Sequence, residues 1–274
     1  MDTRWVETQN GRISYEDHGT GPLVVCLPSL GDLRGEYRLL APRLVEAGYR
    51  VILMDLRGLG ESSVGWADYS VAAVGSDVLA LIRSLEAGPA VVVGTSMAAG
   101  AGVWAAAEAP ELISGLVLIG PAVHGELGGP LALLFRALFA RPWGPSLWVK
   151  YYRSLYPSRK PADFDAYTSA LGNNLREAGR IEATLQMMLA PKTASEERLK
   201  DVNLPVRVIM GSRDPDFKDP EAEARWVAEK TKGEYVMVQG AGHYPHAEMP
   251  EVTAPLVLDF LHALQERQET AHGA

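Results

Sequence analysis

The chain has 274 residues, 47% of them hydrophobic and 22% charged, a balance that fits one large α/β domain or a domain carrying an insertion. Its net charge of −8 includes no long basic run, which argues against a nucleic-acid partner. No stretch approaches the ~20 uninterrupted apolar residues of a membrane helix, so stable membrane insertion is not expected.

A single cysteine, Cys26, excludes an intrachain disulfide and suits a reducing compartment. The charged opening MDTRWVETQN lacks the apolar run of a secretory signal, so a cytoplasmic protein is expected. No Cys/His cluster has zinc-site spacing, and neither a metal nor a cofactor is implied.

Arg4 to Glu7 and Arg12 to Glu16 alternate in character around Asn10-Gly11, a dipeptide that favours a tight hairpin turn. The apolar run Leu23 to Leu27 predicts a strand buried on both faces, with Cys26 inside it as a small hydrophobe rather than a reactive thiol. That strand ends in the loop Pro28-Ser29-Leu30-Gly31-Asp32. Glu36 to Ala47 predicts an amphipathic helix closed by Gly48, and Val51 to Met54 predicts the next buried strand. In the Gly-punctuated loop from Asp55 to Ser62, Arg57 braces the loop or touches a substrate. Ser70 to Leu85 has helical periodicity.

Val91-Val92-Val93 is a further buried strand, and the Ala- and Gly-rich run to Ala109 is a helix. Ser96 sits at the joint. A strand that becomes a helix within three residues strains the middle backbone, and small residues two places before and after remove the Cβ clashes. Gly94 and Ala98 hold those places. Such a turn lifts the Ser96 hydroxyl clear of the sheet and aims the free N–H groups of the helix start at the position of an oxyanion.

Gly115 to Ile119 is another strand, broken by Gly120-Pro121. Strands alternating with helices imply a mainly parallel sheet, which binds ligands at the carboxyl ends of its strands. Over residues 125–200 the alternation stops, so a helical insertion is expected within a core domain of residues 1–124 and 201–274. The insertion holds nine aromatic side chains and eleven Lys+Arg against seven Asp+Glu. That composition fits an apolar lid over a pocket, with Phe135, Trp143, Trp148 and Tyr152 as substrate contacts, or a self-packed helical subdomain. The positive balance fits an anionic substrate or simply a solvated helix face.

The βα pattern resumes with a strand at Val206 to Met210, a helix at Pro220 to Lys232 and a last strand at Tyr235 to Val238. Glu251 to Arg267 makes the closing helix, with Gln268 to Ala274 expected to fray. The loops leaving these two strands carry Gly211-Ser212-Arg213-Asp214-Pro215-Asp216 and Gly240-Ala241-Gly242-His243-Tyr244-Pro245-His246.

Three strand-end loops thus offer Ser96, Asp214 and His243. A serine hydroxyl is a poor nucleophile until a neutral imidazole takes its proton, and a carboxylate must hold the imidazole tautomer and stabilise the resulting cation. On Gly94-Thr95-Ser96-Met97-Ala98, Gly211-Ser212-Arg213-Asp214, Gly242-His243 and the Asp55 to Ser62 loop, the chain resembles the α/β-hydrolase fold superfamily, capped serine esterase and lipase type. The resemblance implies an α/β fold: a mostly parallel eight-stranded sheet flanked by helices, with a helical cap. It also implies Ser96, Asp214 and His243 as the catalytic triad and the backbone N–H groups of Met97 and Leu30 as the oxyanion hole.

Where many members have His-Gly before the second oxyanion-hole residue, this chain has Pro28-Ser29. Pro28 cannot donate, and the Ser29 hydroxyl adds a third donor or caps the loop. Asp216 and Glu126 are alternative acids, and His246 is expected to hydrogen-bond with Glu248. His18, His124 and His262 have no motif around them.

The implied activity is hydrolysis of a small-molecule carboxylic ester with an apolar acyl or alcohol part, through an acyl-enzyme. Ser rather than Asp at the elbow argues against the dehalogenase and epoxide-hydrolase branches. The same triad serves lactones, thioesters, carbon–carbon bonds and perhydrolysis, and a ligand-binding or signalling protein with little turnover is the reading from another class. The oligomeric state stays open. An unperturbed His243 would titrate near ~6.5.

Overall fold

The computed structural model describes residues 2–8 and 10–272. Its strands are β1 (Arg4–Thr8), β2 (Gly11–His18), β3 (Leu23–Leu27), β4 (Arg50–Met54), β5 (Ala90–Thr95), β6 (Ile113–Ile119), β7 (Val206–Gly211) and β8 (Glu234–Val238). They form one eight-stranded sheet in the order β1-β2-β4-β3-β5-β6-β7-β8. β2 runs antiparallel to β1 and β4, and β3 to β8 run parallel, so the α/β class and mostly parallel sheet read from the sequence are those observed. In the opening hairpin Thr8 pairs with Gly11, which places Gly11 in the strand rather than in the turn. Gln9 lies outside the described residues.

The helices are α1 (Ala41–Glu46), α2 (Val71–Leu85), α3 (Met97–Glu108), α4 (Gly129–Leu138), α5 (Gly144–Ser154), α6 (Phe164–Arg176), α7 (Arg180–Leu189), α8 (Thr193–Arg198), α9 (Pro220–Thr231), α10 (Pro245–Glu248) and α11 (Pro250–His272). Strand side chains alternate between two cores. Val25, Leu27, Val92, Leu116, Leu118 and Val208 pack on the side of α2, α3 and α9. Val24, Cys26, Val93, Val117 and Ile209 pack on the side of α1 and α11. Burial on both faces explains the unbroken β-branched runs. Each such Val or Leu removed from water contributes about 1.5–3 kcal/mol.

Two expectations are corrected. The helix expected over residues 36–47 is a 3-10 turn at Arg34–Tyr37 followed by the separate α1. Pro42 sits in the first turn of α1, where its missing N–H costs nothing; inside a continuous helix it would break one. The closing helix, expected to fray from Gln268, continues to His272, and Gly273 and Ala274 lie outside the described residues. The span between β6 and β7 holds α4 to α8 and, among the described residues, no strand.

Because β3 to β8 are parallel, the loops after β3, β4, β5, β6, β7 and β8 all open at one edge of the sheet. Ser96, Asp214, His243 and the Pro28–Asp32 loop are therefore neighbours despite their separation in sequence.

Candidate active site

Ser96 joins β5 to α3 with φ 56° and ψ −123°, a conformation that costs a non-glycine residue about 1–3 kcal/mol. Surrounding bonds over-determine it. Its N–H donates to the Ile119 carbonyl at 2.9 Å, and its carbonyl accepts from the N–H groups of Ala99 and Ala122, each at 3.1 Å. A Cβ on Gly94 would stand 2.7 Å from the Ala98 carbonyl oxygen, so the turn closes only with a small residue there. Ser96 is 6% exposed and opens onto a cavity of about 350 Å³, at the small end of ligand pockets.

His243 lines the same cavity. Its Nδ1 lies 2.7 Å from Asp214 Oδ2, and both side chains are buried. Asp214 Oδ1 also accepts the Asp216 N–H at 3.0 Å. The Asp216 carboxylate lies on the other side of the ring, 3.8 Å from His243 Nε2. The two acids are thus distinguished by position: Asp214 meets the nitrogen that orients the ring, and Asp216 meets the one facing the cavity. Glu126 is exposed.

Burial opposes protonation of His243, but Asp214 and then Asp216 outweigh it and push its pKa up to about 9. The value of ~6.5 expected for an unperturbed ring is therefore corrected upward. The histidine loop is clamped by Glu248, whose Oε2 accepts the Gly242 N–H at 2.6 Å and whose Oε1 accepts those of Ser158 and Arg159 at 2.8 and 3.0 Å. With both its oxygens engaged there, Glu248 is not the partner of His246. That ring faces Glu36 instead, its Nε2 3.0 Å from Glu36 Oε1 but off-line for a hydrogen bond.

Glu36 is wholly buried beneath the loop after β3, and its Oε2 accepts the Ser29 N–H at 2.7 Å. Burial pushes its pKa up to about 7 and pushes that of His246 down to about 3. With the Ser29 donor taken, the Leu30 and Met97 N–H groups have no hydrogen-bond partner among the described residues. Two unpaired donors beside Ser96 are what an oxyanion requires. Asp32 Oδ1 accepts from the Leu33 N–H at 2.8 Å and the Tyr167 hydroxyl at 2.5 Å. At Gly31, φ is +71° and an added Cβ would lie 2.3 Å from Trp148 Cζ2, while the Trp148 indole N–H donates to the Gly31 carbonyl at 2.8 Å.

Of the five sequence-predicted substrate contacts, Ser29, Phe135 and Trp148 line the cavity. Trp143 and Tyr152 do not, which corrects that expectation. Trp143 is 56% exposed and donates its indole N–H to the Ala137 carbonyl, while Tyr152 is fully buried with its hydroxyl 2.9 Å from that of Tyr156. Helix phase is the reason. Trp148, Tyr151 and Leu155 follow i, i+3, i+7 along the face toward the cavity, and Tyr152, about 100° from Tyr151, lies at the far edge of that face, where it packs against Phe164 and Tyr244 instead. Phe139, four residues after Phe135, lines the cavity as well, so helical spacing was the signal that would have found these residues.

Other singled-out groups have structural partners. Arg57 is buried in a two-pronged ion pair with Asp77 and braces its loop. His18 pairs with Glu16 and His124 with Glu223, and His262 stacks on Tyr49. Cys26 is free and buried, and burial raises its thiol pKa. Among the described residues, the group placing metal-ligand atoms within 4.8 Å of one another is Asp214, Asp216 and His243. Nδ1 of that ring is already engaged by Asp214. No helix of the described residues is long and apolar enough to cross a membrane.

Residues 24–256 match the model of the Alpha/beta hydrolase family. A Mycobacterium tuberculosis protein named as the non-heme bromoperoxidase BpoC is 30% identical over 90% of this chain and 97% of its own. A 2-(acetamidomethylene)succinate hydrolase from Mesorhizobium japonicum is 26% identical, covering 95% of each chain. The crystal structure of a Bacillus anthracis bromoperoxidase superposes with a TM-score of 0.83 at 22% identity, over 95% of this chain and 100% of that one. With the elbow, the strand order and these matches in agreement, the chain belongs to the alpha/beta hydrolase family.

Proposed function

We propose that the protein is a serine hydrolase cleaving carboxylic esters with an apolar acyl or alcohol part. The observation that carries this reading is one cavity lined by apolar side chains and shared by a strained Ser96 and by His243, itself 2.7 Å from Asp214. His243 Nε2 takes the Ser96 proton as Oγ adds to the ester carbonyl, and the Leu30 and Met97 N–H groups receive the oxyanion. Collapse expels the alcohol, which leaves with the proton from His243. Water then attacks the acyl-enzyme with His243 again as base, releasing the acid and restoring Ser96.

Residues 125–200 act in this reading as a lid, since Leu127, Phe135, Phe139, Trp148, Tyr151 and Met188 supply much of the cavity wall. The test is a p-nitrophenyl ester series of two to eight acyl carbons, with labelling by a fluorophosphonate. Turnover lost in Ser96→Ala together with its label supports the reading. Equal inactivity of wild type and Ser96→Ala on every ester, with no label on Ser96, overturns it.

A second reading is favoured by the relative named as a bromoperoxidase. The same acyl-enzyme attacked by hydrogen peroxide instead of water gives a peracid and free Ser96. Peracid formation from an ester in the presence of peroxide distinguishes it.

A further inference from the structure

Asp216 is the residue for which the relay just described has no use. Its carboxylate lines the cavity, partly exposed, 3.8 Å from the Nε2 that would hand a proton to a leaving alcohol. With His243 neutral, as the reaction requires, no cation discharges it. Both oxygens accept from the Tyr151 hydroxyl, at 2.7 and 2.8 Å, which is a neutral donor. Among the described residues its only ion-pair partner within 4.0 Å is His243, and no Lys or Arg lines the cavity. The remaining wall is mainly apolar, with Phe135, Phe139, Trp148, Leu155 and Met188. In the reactive state, with His243 neutral, a substrate carboxylate entering here would lose water, meet no cation and approach a fixed negative charge.

We propose that Asp216 sets the charge preference of this site, admitting esters whose alcohol part is neutral or cationic and turning away those whose alcohol part bears a carboxylate. The proposal rests on the serine-hydrolase reading and adds the substrate class to it. Like charges about 6 Å apart in a partly screened cavity repel enough for a discrimination on the order of tenfold to a hundredfold.

The test uses butyrate esters of phenol, 4-hydroxybenzoate and 3-(trimethylammonio)phenol at pH 8, each kcat/KM divided by the hydroxide-catalysed rate of the same ester. Wild type is expected to handle the anionic ester at least about tenfold worse than the neutral one, and the cationic ester as well or better. Asp216→Asn should bring the three normalised values within about threefold, and added salt should narrow the wild-type gap. Equal normalised values in wild type, or a gap that Asp216→Asn leaves intact, overturns the proposal.

Salt dependence in the wild type decides the matter if Asp216→Asn does not fold: a gap insensitive to ionic strength counts against it. Failure of the hydrolase reading looks different, as no turnover of any of the three. In that case calorimetric titration of wild type and Asp216→Asn with the three parent phenols reads the preference, and 4-hydroxybenzoate binding that Asp216→Asn does not strengthen relative to phenol, or no binding by any, overturns it.

Discussion

Helix α3 reaches the cavity through Ser96 at its N-terminus and α4 through Phe135, and the two helices are built in opposite ways. Nearly all of α3 is buried, and its start carries the strained Ser96 on a turn that tolerates only small neighbours. In α4 no residue is fully buried; Phe135 reaches the cavity while Leu133 and Leu134 stand 71% and 52% exposed. Close packing holds reacting atoms to sub-ångström tolerance, whereas a thinly packed helix can give way to substrates of different shape. In the proposed function, chemistry and substrate choice fall to regions of different stiffness.

The largest test of that contrast is Ser96→Ala. It should lower kcat on p-nitrophenyl butyrate by at least about 10⁴-fold while leaving the melting temperature within a few degrees. Retention of a tenth of the rate would remove Ser96 from the chemistry.

Protonation comes next. The base must be neutral to act, and the neighbouring carboxylates raise its pKa to about 9. The rate should therefore rise with pH up to that region and fall by about tenfold per unit below it. Asp216→Asn removes negative charge beside the ring, so the midpoint should move down. A flat profile from pH 9 to 6 would exclude His243 as the base.

Packing contrasts follow. Gly94→Val drives a side chain toward the Ala98 carbonyl and should cost about 1–3 kcal/mol in urea unfolding as well as most of the activity. Leu133→Ala, on the exposed face of α4, should stay within about 0.5 kcal/mol of wild type. Similar losses in both would erase the distinction between the helices. Phe135→Ala should raise KM for medium-chain esters about threefold to tenfold with kcat retained. The smallest effect belongs to EDTA, which should leave the rate unchanged if His243 and Asp214 serve as a relay and the group they form with Asp216 holds no metal; a loss restored by a divalent ion would reassign them.

Much of the architecture was legible because a parallel sheet buried on both faces writes itself as β-branched runs, and its strand-end loops as glycine clusters. Ser96, Asp214 and His243 could be picked out for that reason, since each follows such a run. The break at Pro42 is masked in the sequence because the amphipathic pattern on either side of it continues in phase. The positions of Trp143 and Tyr152 are hidden for a different cause: aromatic content says that a helix packs somewhere, but only its tertiary neighbours decide that Tyr151 rather than Tyr152 turns toward the cavity. The pairing of His246 with Glu36 joins loops more than 200 residues apart, and no local pattern encodes it.

One helix grips two of the loops that matter. Through its indole N–H, Trp148 of α5 holds the Gly31 carbonyl, and two turns later the Leu155 carbonyl receives the His243 N–H at 3.1 Å. Anyone transplanting a foreign segment over residues 125–200 of this scaffold must therefore import those two anchor points in register, because an exchange that preserves every sheet residue would still leave the Gly31 and His243 loops unmoored.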